Sequence, residues 1–267
     1  MSYWERTWQE RADEIRRAFG ETEPPGTVFS YSWQDRIRLP GACALQLPPI
    51  DESRDPTRYR RGTWLYLTMG LSQPLDRDQV KAERAAGKSY SAHGYELGFL
   101  TESKDEWPID ALYAFLTHIT DGEVIRWGDR FPMGFCHRPD GGLSSYVGNI
   151  NGLDVVGQIR AVLFWPYLFP DGQFVTSTGK FMVFIATGIT EDEWELAKQT
   201  TTVHLLLLLC RAGVGQKTMP SRSSLLREAR WQAEWDAIAA LSPQQCEGEL
   251  EHGVEYLERT RPTQHTR

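Results

Sequence analysis

The sequence predicts an α+β, or mixed α/β, fold: a central, mostly antiparallel sheet flanked by helices, with an N-terminal helix and a C-terminal helical extension. Three observations carry this. An amphipathic helical stripe opens the chain, short aromatic and β-branched runs fill its middle, and helical periodicity returns from residue 190 onward. Composition sets the outer bounds. Of 267 residues, 40% are hydrophobic and 24% charged, which is the make-up of a globular chain sized for one large domain or two small ones. With 29 Lys+Arg against 36 Asp+Glu the net charge is −7, which argues against a general nucleic-acid binder and leaves room for a basic partner.

Residues 2–19 read as a helix. Ser2 and Glu5 have capping-box spacing, and Trp4, Trp8, Ala12, Ile15 and Phe19 form one stripe. Gly20 and the Pro24-Pro25-Gly26 cluster end it. A short strand candidate at 42–47 precedes strands at 63–69 and 95–100, which are separated by a charged loop, 73–92, without apolar periodicity. A helix follows at 109–119, then a short extended piece at 124–127 and a Gly/Pro/Asn-rich loop at 128–153. Strand material returns at 162–169, 174–175 and 180–186 around a Pro-Asp-Gly turn. Thr190 and Glu193 repeat the capping-box spacing before a helix. The leucine run 203–210, and residues 222–241 and 243–259, supply three more.

The runs 203–210 and 161–169 fall far short of the ~20 apolar residues that a membrane-spanning helix needs. Cys43, Cys136, Cys210 and Cys246 contain no CxxC pair, and the charged N-terminus has no signal-peptide core. Reduced thiols and a cytoplasmic location are the expectation.

The strings GTWLYLTMGLS (62–72), HGYELGFL (93–100), WP…ALYAFLTHI (107–119) and GEVIRWGDRF (122–131) resemble the Suppressor of Fused domain family. So does the later succession of KFMVFIATGIT (180–190), EDEWELAKQ (191–199), a leucine-rich helix and PSRSS (220–224). The resemblance covers roughly residues 40–224 and rests on the order of the blocks, not on any single motif. It divides the chain into an N-terminal helix and linker (1–39), a Suppressor of Fused-like domain (40–224) and a helical extension (225–267) packed on that domain. It implies binding and not catalysis, with no cofactor. Animal members clamp an extended peptide of Gli-type transcription factors; compact single-domain relatives are bacterial, and many are immunity proteins that neutralise secreted polymorphic toxins. The Arg/Ala/Trp-rich, Lys-poor usage fits a bacterial source.

The residues themselves offer several sites. Glu96, in YELGFL, and Asp129, after Arg126-Trp127, are two carboxylates that would suit acid–base work in a small hydrolase, with His93 and His137 as further candidates. The alternative is structural: Glu96 accepting from Arg126 or a loop amide, and Asp129 capping a turn. No nucleophile elbow, Walker loop or HExxH spacing is present. Cys136-His137 is isolated, and four ligands in recognisable pairs are lacking, so no metal site is expected. His204, inside the leucine helix, reads as a satisfied core histidine.

Partner-facing candidates are Asp76 and Asp78 in the 73–92 loop, Glu96 and Asp129, Trp231 and Trp235, and Glu247 and Glu251. On the 222–241 helix, Leu225, Ala229, Ala233, Ala237 and Ala240 line one face, and Trp231, Trp235 and Ile238 line nearly the opposite one. Such a helix is either sandwiched or offers a second face to a partner. From Ser242 to Glu258 there are five glutamates and no Lys or Arg: a solvated face, or an acidic surface for the basic cleft of a nuclease toxin. The expected partner is thus a protein, not nucleic acid or membrane.

Overall fold

The computed structural model describes residues 3–19, 26–29, 41–46, 64–74, 76–105, 107–120, 122–133, 158–167 and 173–259. Helix α1 (Tyr3–Phe19) buries Thr7, Arg11 and Ile15 at four-residue spacing, with Trp8 and Ala12 half-buried beside them. The stripe anticipated from the sequence is therefore rotated by about one residue, because an arginine occupies its centre. Ser2 lies outside the described residues, as do the Trp4 and Phe19 side chains.

Eight strands form one sheet. They are β1 (Gly26–Phe29), β2 (Gly41–Gln46), β3 (Trp64–Met69), β4 (Tyr90–Thr101), β5 (Arg130–Pro132), β6 (Ile159–Pro166), β7 (Gln173–Thr176) and β8 (Gly179–Thr190). Their order is β1-β2-β3-β4-β8-β6-β5, with β7 also on β8. Every pairing is antiparallel except β4 with β8, as the sequence led one to expect of a mostly antiparallel sheet. β8 is apolar on both faces because both are covered: Phe181, Val183 and Ile185 point to one side, and Phe184 and Ala186 to the other.

On one face, α3 (Trp107–Thr120) packs Leu112, Phe115, Leu116 and Ile119 onto Leu97, Phe99, Val162 and Phe164. Phe115 stands edge-on to Phe164 at 5.1 Å between centroids. On the other face, α1 covers Leu65, Leu67, Phe181, Val183 and Ile185. Beside α1, helices α4 (Glu191–Ala197), α5 (Thr202–Arg211), α6 (Ala229–Ala239) and α7 (Pro243–Arg259) cover Ala161, Leu163, Trp165 and Ile189. The leucine run of α5 is buried from Val203 to Leu209.

Three elements depart from the sequence reading. The charged segment 73–92 contains helix α2 (Arg77–Ala85), which buries only Val80 and so carries no apolar stripe to betray it. Strand β5 falls inside the expected loop 128–153, whose residues from 134 on lie outside the described set, and 124–127 is turn and coil. The 222–241 helix splits into a 3-10 turn at Leu225–Arg227 and α6, since Ser224 caps the Leu226 amide at 3.2 Å and Glu228 is extended.

Candidate partner-binding surfaces

Glu96 is 1% exposed, so it does not project from the sheet into a cleft. The chain turns sharply after β3, and this leaves the amides of Gly70, Leu71 and Ser72 without strand partners. The Glu96 carboxylate takes all three, at 3.0, 3.3 and 3.0 Å, together with the hydroxyls of Thr68 and Ser72, both at 2.7 Å. The surface role expected of Glu96 is corrected on that geometry: five donors fill the carboxylate and the core seals it.

The positive counterpart is Arg11, with no exposed surface. Its guanidinium donates to Ser72 Oγ (2.9 Å), Ser72 O (2.5 Å), Ser91 Oγ (3.0 Å), Thr178 Oγ1 (2.8 Å) and Thr7 O (2.9 Å). Burial lowers its pKa, and the nearby charge of Glu96 works against that fall. The network staples α1 to β4 and to the β7–β8 hairpin; an arginine amid an apolar stripe was its only trace in the sequence.

Asp129 braces a turn. Its Oδ2 accepts from Arg126 N at 2.6 Å, and its amide donates to Arg126 O at 3.0 Å. The turn is tied to β6 through Gly128 N to Phe164 O (3.0 Å) and to α5 through Thr202 Oγ1 to Gly128 O (2.6 Å). Gly128 has φ +86°, open mainly to glycine. At its apex Trp127 is 53% exposed and edge-on to Trp165 at 5.1 Å. Tyr95 Oη accepts from Ile125 N (3.2 Å), and burial raises its pKa. Asp129 and Glu96 are thus bound into separate hydrogen-bond systems, and neither is placed with a free carboxylate beside the other.

Asp76 is the N-cap of α2: its Oδ1 accepts from Asp78 N (2.9 Å) and Gln79 N (2.8 Å). Asp78 is exposed and pairs with Lys81 at 3.1 Å. In α6, Trp235 is buried and Trp231 half-buried against the α5–α7 cluster, so this face is the sandwiched one, while Ala229, Ala233, Ala237 and Ala240 are exposed. In α7, Cys246 and Leu250 face inward, Glu247 is half-buried and Glu251 exposed. Arg211 joins Glu234 of α6 to Glu249 of α7. Burial alone would lower its pKa, and the two carboxylates raise it. The side chains of Glu255 and Glu258 lie outside the described residues.

His204 is buried, with Nδ1 2.6 Å from Thr201 Oγ1 and Nε2 2.9 Å from Leu241 O, and it joins α5 to the α6–α7 turn. Burial raises the Cys246 thiol. Cys136 and His137 lie outside the described residues, as does the Cys43 side chain. Among the described residues no three His, Cys, Asp or Glu side chains converge as metal ligands, and no helix is long and apolar enough to cross a membrane.

No family model matches the chain, and no curated protein matches its sequence. Solved structures do. The crystal structure of Drosophila Suppressor of Fused superposes with a TM-score of 0.60 at 16% identity, over 86% of this chain and 54% of that one. This chain folds as a Suppressor of Fused-like domain. The same fold is matched in the Sufu–Fu complex crystal structure, with a TM-score of 0.57 at 15% identity, over 88% of this chain and 98% of that one. A Suppressor of Fused homolog from Neisseria gonorrhoeae gives a TM-score of 0.49 at 17% identity, over 82% and 97%. The chain therefore spans about half the length of the Drosophila protein. Within the Suppressor of Fused-like fold, the blocks GTWLYLTMGLS and HGYELGFL are β3 with its turn and the end of β4, joined by the Glu96 nest.

Proposed function

We propose that this chain is a non-catalytic protein-binding module, and specifically an immunity protein that binds and neutralises a cognate secreted bacterial toxin in the cytoplasm. One observation carries the reading: the fold matches a chain in the Sufu–Fu complex crystal structure over 88% of this chain and 98% of that one. The binding reading is supported over the hydrolase alternative by the positions of Glu96, buried and holding a turn, and Asp129, bracing another, which do not share a cleft. Neutralisation needs only tight stoichiometric binding. The acidic face of α7, with Glu247 and Glu251, is the surface for a basic toxin cleft, where opposite charge speeds encounter.

Co-expression with the toxin encoded beside it tests the reading. The expected result is a 1:1 complex on gel filtration and protection of cells expressing that toxin. Absence of both would remove the immunity role. A regulator that sequesters an extended peptide is the second reading, favoured by the exposure of Tyr90 at the start of β4 and of Val175 on the neighbouring hairpin.

A further inference from the structure

The face of the sheet that α3 covers runs on past α3 into an open corner. There β4, β8 and β7 lie side by side, and their register puts Tyr90 opposite Lys180 and Lys180 opposite Val175. Residues paired this way share one face. Tyr90 is 41% and Val175 59% exposed, and Gln173 Nε2 reaches Tyr90 Oη at 3.4 Å across β8. Met182, next along this face of β8, is half-buried against the α3-side core. Large apolar side chains left open in one row point to a partner.

The charges are the second observation. Lys180 and Lys88 are exposed, and neither has an ion-pair partner among the described residues. Arg84, also exposed, is held at the same corner by donating to Ser177 O at 2.7 Å. The chain as a whole carries −7, and Glu83 and Glu10 share this corner, accepting from Ala92 N and from the Ser177 amide and hydroxyl, so the two lysines are the groups left to meet an acidic partner.

The third observation is strain. Between Tyr90 and Tyr95, β4 bulges away from β8, and Ala92 adopts φ +50° without being glycine. The bulge is fixed from several sides. Ala92 N donates to Glu83 Oε2 of α2 (3.3 Å), His93 N to Leu71 O (3.1 Å), and the Ser91 hydroxyl is held by Arg11 (3.0 Å). His93 is left exposed beside Tyr95. A strained backbone braced by two helices fixes the start of β4, and with it the position of Tyr90.

We propose that Tyr90, Lys180 and Val175, with Lys88, form a docking row for an extended acidic peptide that carries an apolar residue. The carboxylates meet the two lysines, and the apolar residue lies across Tyr90 and Val175. A row with Lys180 between two apolar side chains, and Lys88 two residues before Tyr90, suits a peptide better than a phosphate backbone, which calls for more cations along its length. The inference rests on the binding-module reading but not on the toxin, so the co-expression result leaves its test untouched.

The test is fluorescence anisotropy with a labelled ten-residue peptide, glutamate-rich around a central phenylalanine. The same peptide with lysine for glutamate, and a ten-nucleotide oligo-dT, serve as comparisons. The acidic peptide is expected to bind saturably and to weaken as salt is raised. Affinity should fall about tenfold or more in Lys88→Glu/Lys180→Glu, and likewise in Val175→Asp. All three positions are exposed, so melting temperatures should stay at the wild-type value; Lys88→Ala/Lys180→Ala gives a second readout where one does not. No saturable binding by the wild type, unchanged binding by the variants, or oligo-dT binding as tight as the peptide overturns the proposal.

Discussion

Ser72 stands between Arg11 and Glu96, its hydroxyl accepting from the guanidinium Nε at 2.9 Å and donating to the carboxylate Oε1 at 2.7 Å. Two opposite charges are thus held in the core one hydroxyl apart, tying α1 to the turn after β3 and to β4. Removing one member leaves the other buried without its opposite charge in the core. Glu96→Ala is expected to cost about 3–5 kcal/mol in urea unfolding, and Glu96→Gln less, since an amide oxygen still accepts from the turn. Arg11→Met combined with Glu96→Ala should cost less than the sum of the two, by about 0.5–3 kcal/mol. Strict additivity would show that the hydroxyl transmits no coupling.

The second buried charge pair makes stability depend on pH. Burial alone would raise the Glu193 carboxyl, yet Arg222, at 2.5 and 2.6 Å, and the amides of Thr190 and Leu225 hold it below its ordinary 4.5. A carboxyl lowered on folding adds stability above its unfolded value, and that stability is lost as pH falls through the folded value. Wild-type melting temperature should therefore drop below about pH 4.5 more steeply than that of Glu193→Gln, which is lower at neutral pH but flatter there. Parallel curves would remove Glu193 from the acid limb.

Strands and helices with a one-sided or two-sided apolar pattern were readable from the sequence, because burial writes itself into period 2 or 3.6. β8 and α5 are clear cases. Helix α2 was not, since its single buried residue is Val80 and its stability comes from a cap and good helix formers. Glu96 and Asp129 looked like chemistry because a carboxylate in a strand or at a turn is conspicuous. Only three-dimensional proximity reveals that unpaired turn amides claim it. The row at Tyr90 was invisible for a related reason: a three-residue register shift within β4 decides which side chains line up with β8.

Close packing at β8 gives a sharper test of the core. A Cβ on Gly188 would lie 2.5 Å from Thr218 Cγ2 and 3.0 Å from Ile159 Cδ1. Thr218 cannot step aside freely, because its hydroxyl accepts from Gly188 N (2.7 Å) and donates to Ala186 O (3.1 Å). Gly188→Ala is expected to destabilise by about 1–3 kcal/mol. Thr218→Ser removes the clashing methyl and keeps both hydrogen bonds, so the double variant should recover part of that loss. If it recovers nothing, the clash with Thr218 is not the cause.

Asp76 and Asp78 part company in the structure, and substitution should show it. Asp76→Ala removes the cap of α2 and is expected to cost about 1 kcal/mol, with faster amide exchange concentrated in Arg77–Ala85. The effect should reach further than the helix, because Glu83 of α2 holds the strained Ala92 amide at 3.3 Å. Loosening α2 therefore loosens the bulge that presents Tyr90. Exchange at Ala92 N should rise in Asp76→Ala and in Glu83→Ala alike, while Asp78→Ala, which loses only an exposed pair with Lys81, should leave it at the wild-type rate. Unchanged protection of Ala92 in both of the first two variants would show that α2 does not brace the bulge.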